Sequence, residues 1–244
     1  MKRYLITFAY DGTNYNGYQR QPRLKTVQGE LEKALKKINN GQSVDLHASG
    51  RTDKGVHAIN QKAHVDLEVR ITPEKLRRAI NSNVDNDIYV KNVEIVKNDF
   101  HARYNTKAKE YIYKINLGEY NPFERNSVYQ YNKRLNTFEI ERALKHLEGT
   151  HDFSAFASQK ELKENCVRRL ILTHLIREND KLTIGFLGTG FLKYQVRNMV
   201  GTLIEIGEGK KKSEDIIEIL KSKDRKKAGK KVRPEGLYLS NVIY

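Results

Sequence analysis

VDLHASGRTDKGVHAINQKAHVDLEV, residues 44–69, places two alternating runs around one polar loop, Gly50-Arg-Thr-Asp-Lys-Gly55. Val44, Leu46 and Ala48 alternate with polar residues on one side. Ala63, Val65, Leu67 and Val69 do the same on the other. A period of two is that of a half-buried strand. The stretch therefore predicts two strands joined through the loop. Ser, Gly, Asp and Lys are ordinary turn residues, so a plain turn explains the composition. It does not explain Arg51 and Thr52 between glycine and aspartate, or a second glycine two residues later. A carboxylate beside Arg51 and Lys54 is favoured in its charged form. Held between two sheet strands, such a group can act as nucleophile or base. From the residues alone Asp53 is either a turn residue or a catalytic one.

Working outward, Tyr4, Ile6, Phe8 and Tyr10 alternate along Arg3 to Tyr10, which predicts a first strand. Val27, Leu31, Ala34, Leu35 and Ile38 fall on one helical stripe behind Thr26, a suitable cap. Thr72-Pro73 opens a second helix with cap and proline in the expected order. Ile88 to Val96 is a further strand. The order β-α-β-β-α-β is that of a ferredoxin-like unit.

The second half repeats the theme loosely. Strands are expected at 110–118, 127–132, 167–177, 182–186 and 237–243. Asn136 with Glu139 has the form of a capping box for a helix ending near Gly149. Helices are also expected over 191–206 and 213–221. The fold class expected is α+β: two ferredoxin-like halves with antiparallel sheets joined around a central basic cleft. Residues 1–104 form the half carrying the Asp53 loop and 105–244 the other, with the boundary where HARYNTKAK (101–109) breaks the alternation.

The 244 residues carry a net charge of +15, which points to a phosphate-rich nucleic acid or to a lysine-rich solvated surface. Eight basic residues crowd into the thirteen from Lys221 to Arg233, either a phosphate contact or a solvated loop. No apolar run has the length of a membrane span, and the first residues alternate like a strand rather than a signal peptide. One cysteine, Cys166, cannot form an internal disulfide, which suits a reducing, cytoplasmic setting. The seven histidines show no ligand spacing, so no metal is expected. No P-loop or dinucleotide fingerprint is present, so no nucleotide cofactor is expected.

YDGTNYNGYQRQ (10–21), ASGRTDKGVHA (48–58), FHARYNTKAKEYIY (100–113), FLKYQVRNMVGTL (191–203) and PEGLYL (234–239) together resemble the successive motifs of tRNA pseudouridine synthases of the TruA type. The order and spacing match over nearly the whole chain. The resemblance implies isomerisation of uridine to pseudouridine in the anticodon stem-loop of tRNA, at about positions 38 to 40, without a cofactor or metal. It also implies a homodimer.

By the same resemblance Asp53 is the catalytic aspartate. Arg197 is its expected partner. It lies among Val196, Met199, Val200 and Leu203, where a buried cation needs a paired anion. On residues alone it could equally be a helix-surface arginine. Tyr111 is implied to stack on the target uracil, although strand tyrosines are commonly packing residues. Arg51 is implied to help extrude the base, with a phosphate contact as its plainer role. Arg103, Gln19 and Leu237 complete the implied substrate contacts: phosphate or domain junction, RNA or backbone, base pocket or core. His57 and His101 sit inside motifs but are expected to make structural hydrogen bonds. Tyr18 stands where the family often has tryptophan. Two rival readings remain, a synthase acting on another RNA and a non-catalytic RNA-binding module or chaperone.

Overall fold

The computed structural model describes every residue except 163. The chain divides into two compact units, 1–107 with 238–244, and 108–237.

In the first unit, β1 (Lys2–Tyr10) is followed by α1 (Val27–Ile38), β2 (His47–Ala48), β3 (His57–Leu67), α2 (Pro73–Asn81) and β4 (Ile88–Val96). β1 lies between β4 and β3, antiparallel to both, and β2 pairs with β3 on its other edge. This order, β4-β1-β3-β2, is the ferredoxin-like one. Tyr4, Ile6, Phe8 and Tyr10 are all buried, as their alternation requires. Both helices begin where the sequence places their caps. The Thr26 and Thr72 hydroxyls accept the N–H groups of Gly29 and Lys75. Leu31, Leu35, Leu76 and Ile80 are fully buried.

The run 44–48 contributes only two paired residues, fewer than its alternation suggests. Strand β3 is eleven residues long, and its second half takes β2 at His64 and Ala63. Its first half takes the last strand of the chain, β10 (Leu237–Ile243), in parallel at His57 and Ala58. Residues 238–244 accordingly group with the first unit, whereas the sequence division assigns them to the second half. The Tyr244 hydroxyl donates to Ala102 O at 2.9 Å, and Lys107 N–H donates to Ile243 O at 2.8 Å. A division by chain order cannot see a returning strand.

The second unit runs β5 (Ala108–Asn116), β6 (Tyr129–Gln130), α3 (Thr137–Leu147), β7 (Gly149–Asp152), β8 (Val167–Glu178), β9 (Lys181–Gly188), α4 (Gln195–Gly207) and α5 (Asp215–Ser222). Its sheet is β5-β9-β8-β7, antiparallel throughout, with β6 a short parallel partner of β5. The expected strand over 127–132 is reduced to those two residues. Asn136 caps α3 by accepting the Glu139 N–H at 3.3 Å. The reciprocal half of the capping box is absent: Asn136 N–H donates to Gly207 O, and Glu139 instead holds Arg142 and Ser213. Helix α4 starts four residues later than its apolar stripe suggests, because Tyr194 takes a left-handed conformation (φ 67°). Among the described residues no helix is long and apolar enough to cross a membrane.

Candidate active site

The loop 49–56 is fixed from two directions. Behind it, Ser49 N–H donates to Lys62 O at 2.8 Å, and the Ser49 hydroxyl donates to Gln61 Oε1 at 2.7 Å. The Gln61 amide returns a bond to Gly50 O at 3.1 Å. Above it lies the loop 10–19. Tyr18 N–H donates to Thr52 O at 3.1 Å, and the Tyr10 hydroxyl and Thr52 Oγ1 share a buried 2.8 Å hydrogen bond. Burial pushes the Tyr10 phenol up to about 12, so it stays protonated across neutral pH.

Two glycines make this close approach possible. A side chain at Gly12 would lie 2.0 Å from Val56 O. Gly17 has φ +90°, and a Cβ there would sit 3.0 Å from Thr52 O and 3.3 Å from the Asp53 carbonyl carbon. The loop closes on Gly55 (φ 75°), with Val56 N–H donating to Asp53 O at 3.1 Å. Asp53 is half-buried and Arg51 is exposed. The YDGTNYNGYQ and SGRTDKG motifs are thus one structural object. A backbone held at this many points fixes the position from which the Asp53 side chain projects.

Gln19 is exposed at the end of the upper loop. His57 is buried, lies face to face with Tyr238 at 4.7 Å, and its Nδ1 is 3.1 Å from Gly12 N. Arg103 is exposed on the turn 100–105, which two further histidines hold. His64 Nδ1 accepts the Ala102 N–H and His101 Nδ1 accepts the Arg103 N–H, both at 3.1 Å. Arg3, paired with Asp66 at 2.6 Å, donates to Phe100 O at 2.8 Å. Nδ1 can accept only on a neutral ring. Burial and the neighbouring Arg3 hold His64 down at about 4, and burial lowers His101 as well.

On the second unit, Tyr111 is buried in β5 with its ring edge-to-face on Phe191, 4.9 Å between centroids. Tyr113, two residues on, is occupied structurally: fully buried, with its hydroxyl on Arg233 O at 2.7 Å. Arg197 is 8% exposed in the first turn of α4, and its Nε donates to Val232 O at 2.9 Å. Val232 N–H returns to Arg197 O, and Lys114 N–H of β5 donates to Gly236 O at 2.8 Å. The segment 232–236 is therefore laced to α4 on one side and to β5 on the other. It leads directly into Leu237, which is buried.

Sequence reasoning named Asp53, Arg51, Gln19 and Arg103 on the first unit and Tyr111, Arg197 and Leu237 on the second. It missed the residues that hold Asp53's loop: Tyr10, Gly12, Gly17, Thr52 and Gln61. The signal was the glycine spacing in YDGTNYNGY, which reads as a loop until its partner is known.

A ferredoxin-like frame, a net charge of +15 and a clamped carboxylate loop describe an α+β protein of the class that acts on nucleic acid. A family model described as tRNA pseudouridine synthase matches residues 6–105 and 143–244. A protein of Anoxybacillus flavithermus named tRNA pseudouridine synthase A is 43% identical over 244 residues, covering 100% of this chain and 99% of its own. One of the same name from Streptococcus mutans is 44% identical over 248 residues, covering 100% and 99%. The solved structure titled "Crystal Structure of a Cbf5-Nop10-Gar1 Complex" overlaps 82% of this chain and 54% of its own, at 11% identity and a TM-score of 0.33, too slight a likeness to add weight. The chain belongs to the tRNA pseudouridine synthase family.

Proposed function

We propose that this chain isomerises uridine to pseudouridine in the anticodon arm of tRNA, with Asp53 as the catalytic carboxylate. In that reaction the bond from ribose C1′ to uracil N1 breaks and a bond from C1′ to C5 forms. The proton on C5 leaves and N1 gains one, so atoms and electrons balance without redox chemistry. A carboxylate close to C1′ and the ring can serve as nucleophile or base for these steps.

The observation that carries the reading is the clamp on loop 49–56, a backbone locked by Gly12, Gly17, Tyr10 and Gln61 around a half-buried aspartate. A surface turn needs no such construction. In this reading Arg197 is the partner of Asp53, and its Nε bond to Val232 O fixes the guanidinium's rotation. Tyr111 stacks on the uracil, and Leu237 lines the base pocket. Arg51 and Arg103, both exposed, meet the RNA: Arg51 at the gap left by the extruded base, Arg103 on the backbone. Gln19 contacts RNA from the loop that covers Asp53. The protein works in the cytoplasm as a homodimer, in which an RNA longer than one subunit is held by two.

The test is tritium release from tRNA labelled at uracil C5. Native protein releases label, and Asp53→Ala and Asp53→Asn release at least about a thousandfold less while still binding tRNA. An Asp53→Asn variant with native activity refutes the catalytic assignment. Mapping the modified uridines in bulk tRNA separates the anticodon arm from other sites.

A further inference from the structure

Residues 223–233 form a strap whose backbone is tied to α4, while most of its basic side chains are exposed. Arg225 is turned inward, donating to Asn198 Oδ1 at 2.9 Å and Ala228 O at 3.2 Å. Gly229 N–H donates to Thr202 Oγ1 at 2.8 Å, and Lys230 N–H donates to Glu205 Oε1 at 3.1 Å. Gly201 admits the strap, since a Cβ there would be 1.7 Å from Lys230 O. The exposed side chain that the strap delivers to the start of α4 is Lys231, whose Nζ lies 3.8 Å from the centre of the Tyr194 ring.

Tyr194 is itself unusual. A bulky residue at φ 67° is strained, and it stays so only where its surroundings over-determine it. Here Gln195 Oε1 accepts the Leu192 N–H at 2.8 Å, Gln195 N–H donates to Leu192 O, and Ser158 N–H donates to Lys193 O at 3.0 Å. The turn puts the half-buried ring among three cations. Besides Lys231, Lys193 Nζ is 5.3 Å and Arg197 Cζ 5.6 Å from its centre. Glu161 pairs with Lys193. A ring attracts each cation modestly, while the cations repel one another. An anion brought to the exposed Lys231 and Lys193 is attracted by both, beside an Arg197 that, as proposed above, serves Asp53. Lys231 already covers the ring closely, so the geometry favours a phosphate over a stacked base.

We propose that Lys231, Lys193 and Tyr194 form a binding site for a phosphodiester of the RNA backbone, adjoining Arg197. The proposal rests on the reading of the chain as a tRNA-binding synthase and extends it to how the RNA is held. Tyr194 acts as the template that gathers the lysines, and its strain is the cost of placing them at the helix start.

The experiment measures tRNA affinity by filter binding as a function of salt, for native protein, Lys231→Gln, Tyr194→Asn and Lys75→Gln. Asparagine tolerates the left-handed region, so Tyr194→Asn removes the ring while keeping the turn. Lys231→Gln is a surface change that folding tolerates, and Lys75→Gln makes the same charge change on α2. Lys231→Gln and Tyr194→Asn are expected to weaken binding about five- to tenfold at moderate salt. Lys231→Gln should also lower the slope of log K against log salt by about 0.7 to 0.9. Native affinity and slope in Lys231→Gln, or an equal loss in Lys75→Gln, overturn the site. Asp53→Asn in the tritium assay tests the underlying reading separately. If that variant is inactive while Lys231→Gln binds as native, only the phosphate site fails.

Discussion

At the scale of single residues, the features that matter are those where a side chain would not fit. Gly12→Ala places a methyl 2.0 Å from Val56 O, a contact that no rotamer change relieves because the Cβ position is fixed by its own backbone and Val56 O is itself backbone. We expect this variant to lose about 2–4 kcal/mol of stability and most of its tritium release, as measured by urea unfolding and the activity assay. Tyr10→Phe is gentler. It keeps the ring's packing on Phe8 and Tyr18 but leaves Thr52 Oγ1 buried without that partner. A cost of about 1–2 kcal/mol is expected. Since Thr52 adjoins Asp53, kcat should fall more than KM rises. Unchanged kcat in Tyr10→Phe would mean that the clamp does not position the carboxylate.

At the scale of elements, two predictions concern how segments are tied down. The turn that carries Arg103 hangs on His64 and His101 accepting backbone N–H groups, which both rings do only when neutral. His64 is 2% exposed and faces Arg3, Asp66, His47 and His101, and its folded value of about 4 lies below the ordinary 6.5. Between those values the unfolded chain binds the proton and the folded chain does not. Stability should therefore be full above about pH 6.5 and fall as pH drops towards 4, by roughly 2–3 kcal/mol. Urea midpoints at pH 7.5 and 5 would show the loss, and His64→Asn, whose amide oxygen can accept in place of Nδ1, should reduce it. The strap gives the second prediction. Alanine ordinarily stabilises a helix by up to about 1 kcal/mol over glycine. At Gly201 the sign reverses, because the added methyl would lie 1.7 Å from Lys230 O. Gly201→Ala should free the strap, speed trypsin cleavage among Lys223–Arg233, and lower the melting temperature.

At the scale of the whole molecule, the dominant quantity is the charge of +15. A chain so basic should bind tRNA with steep salt dependence, losing at least about tenfold in affinity between 50 and 200 mM salt. Filter binding at four salt concentrations measures it, and a flat response would place the excess lysines on solvated surface only.

What the sequence alone determined was local or compositional. Alternation at period two located β1, β3 and β4; helical stripes behind Thr26 and Thr72 located α1 and α2; the charge pointed to a polyanion. The motif resemblance supplied Asp53, Arg197 and Tyr111 as candidates. Each of these is carried by residues close together in the chain. Tertiary structure decided the rest. Strand β2 stops at two residues because the Leu46 backbone bonds to the Glu32 and Gln28 side chains of α1 rather than to β3, whose first half takes β10 from the far end of the chain. Helix α4 began late because Tyr194 is held left-handed by partners as distant as Ser158. The loops 10–19 and 49–56 became one clamp because Gly12 and Gly17 let two backbones meet, and sequence spacing does not record which backbone a glycine will face. Periodicity is set by a segment's own geometry, whereas edge pairing, strain and close approach depend on what the remainder of the chain places against it.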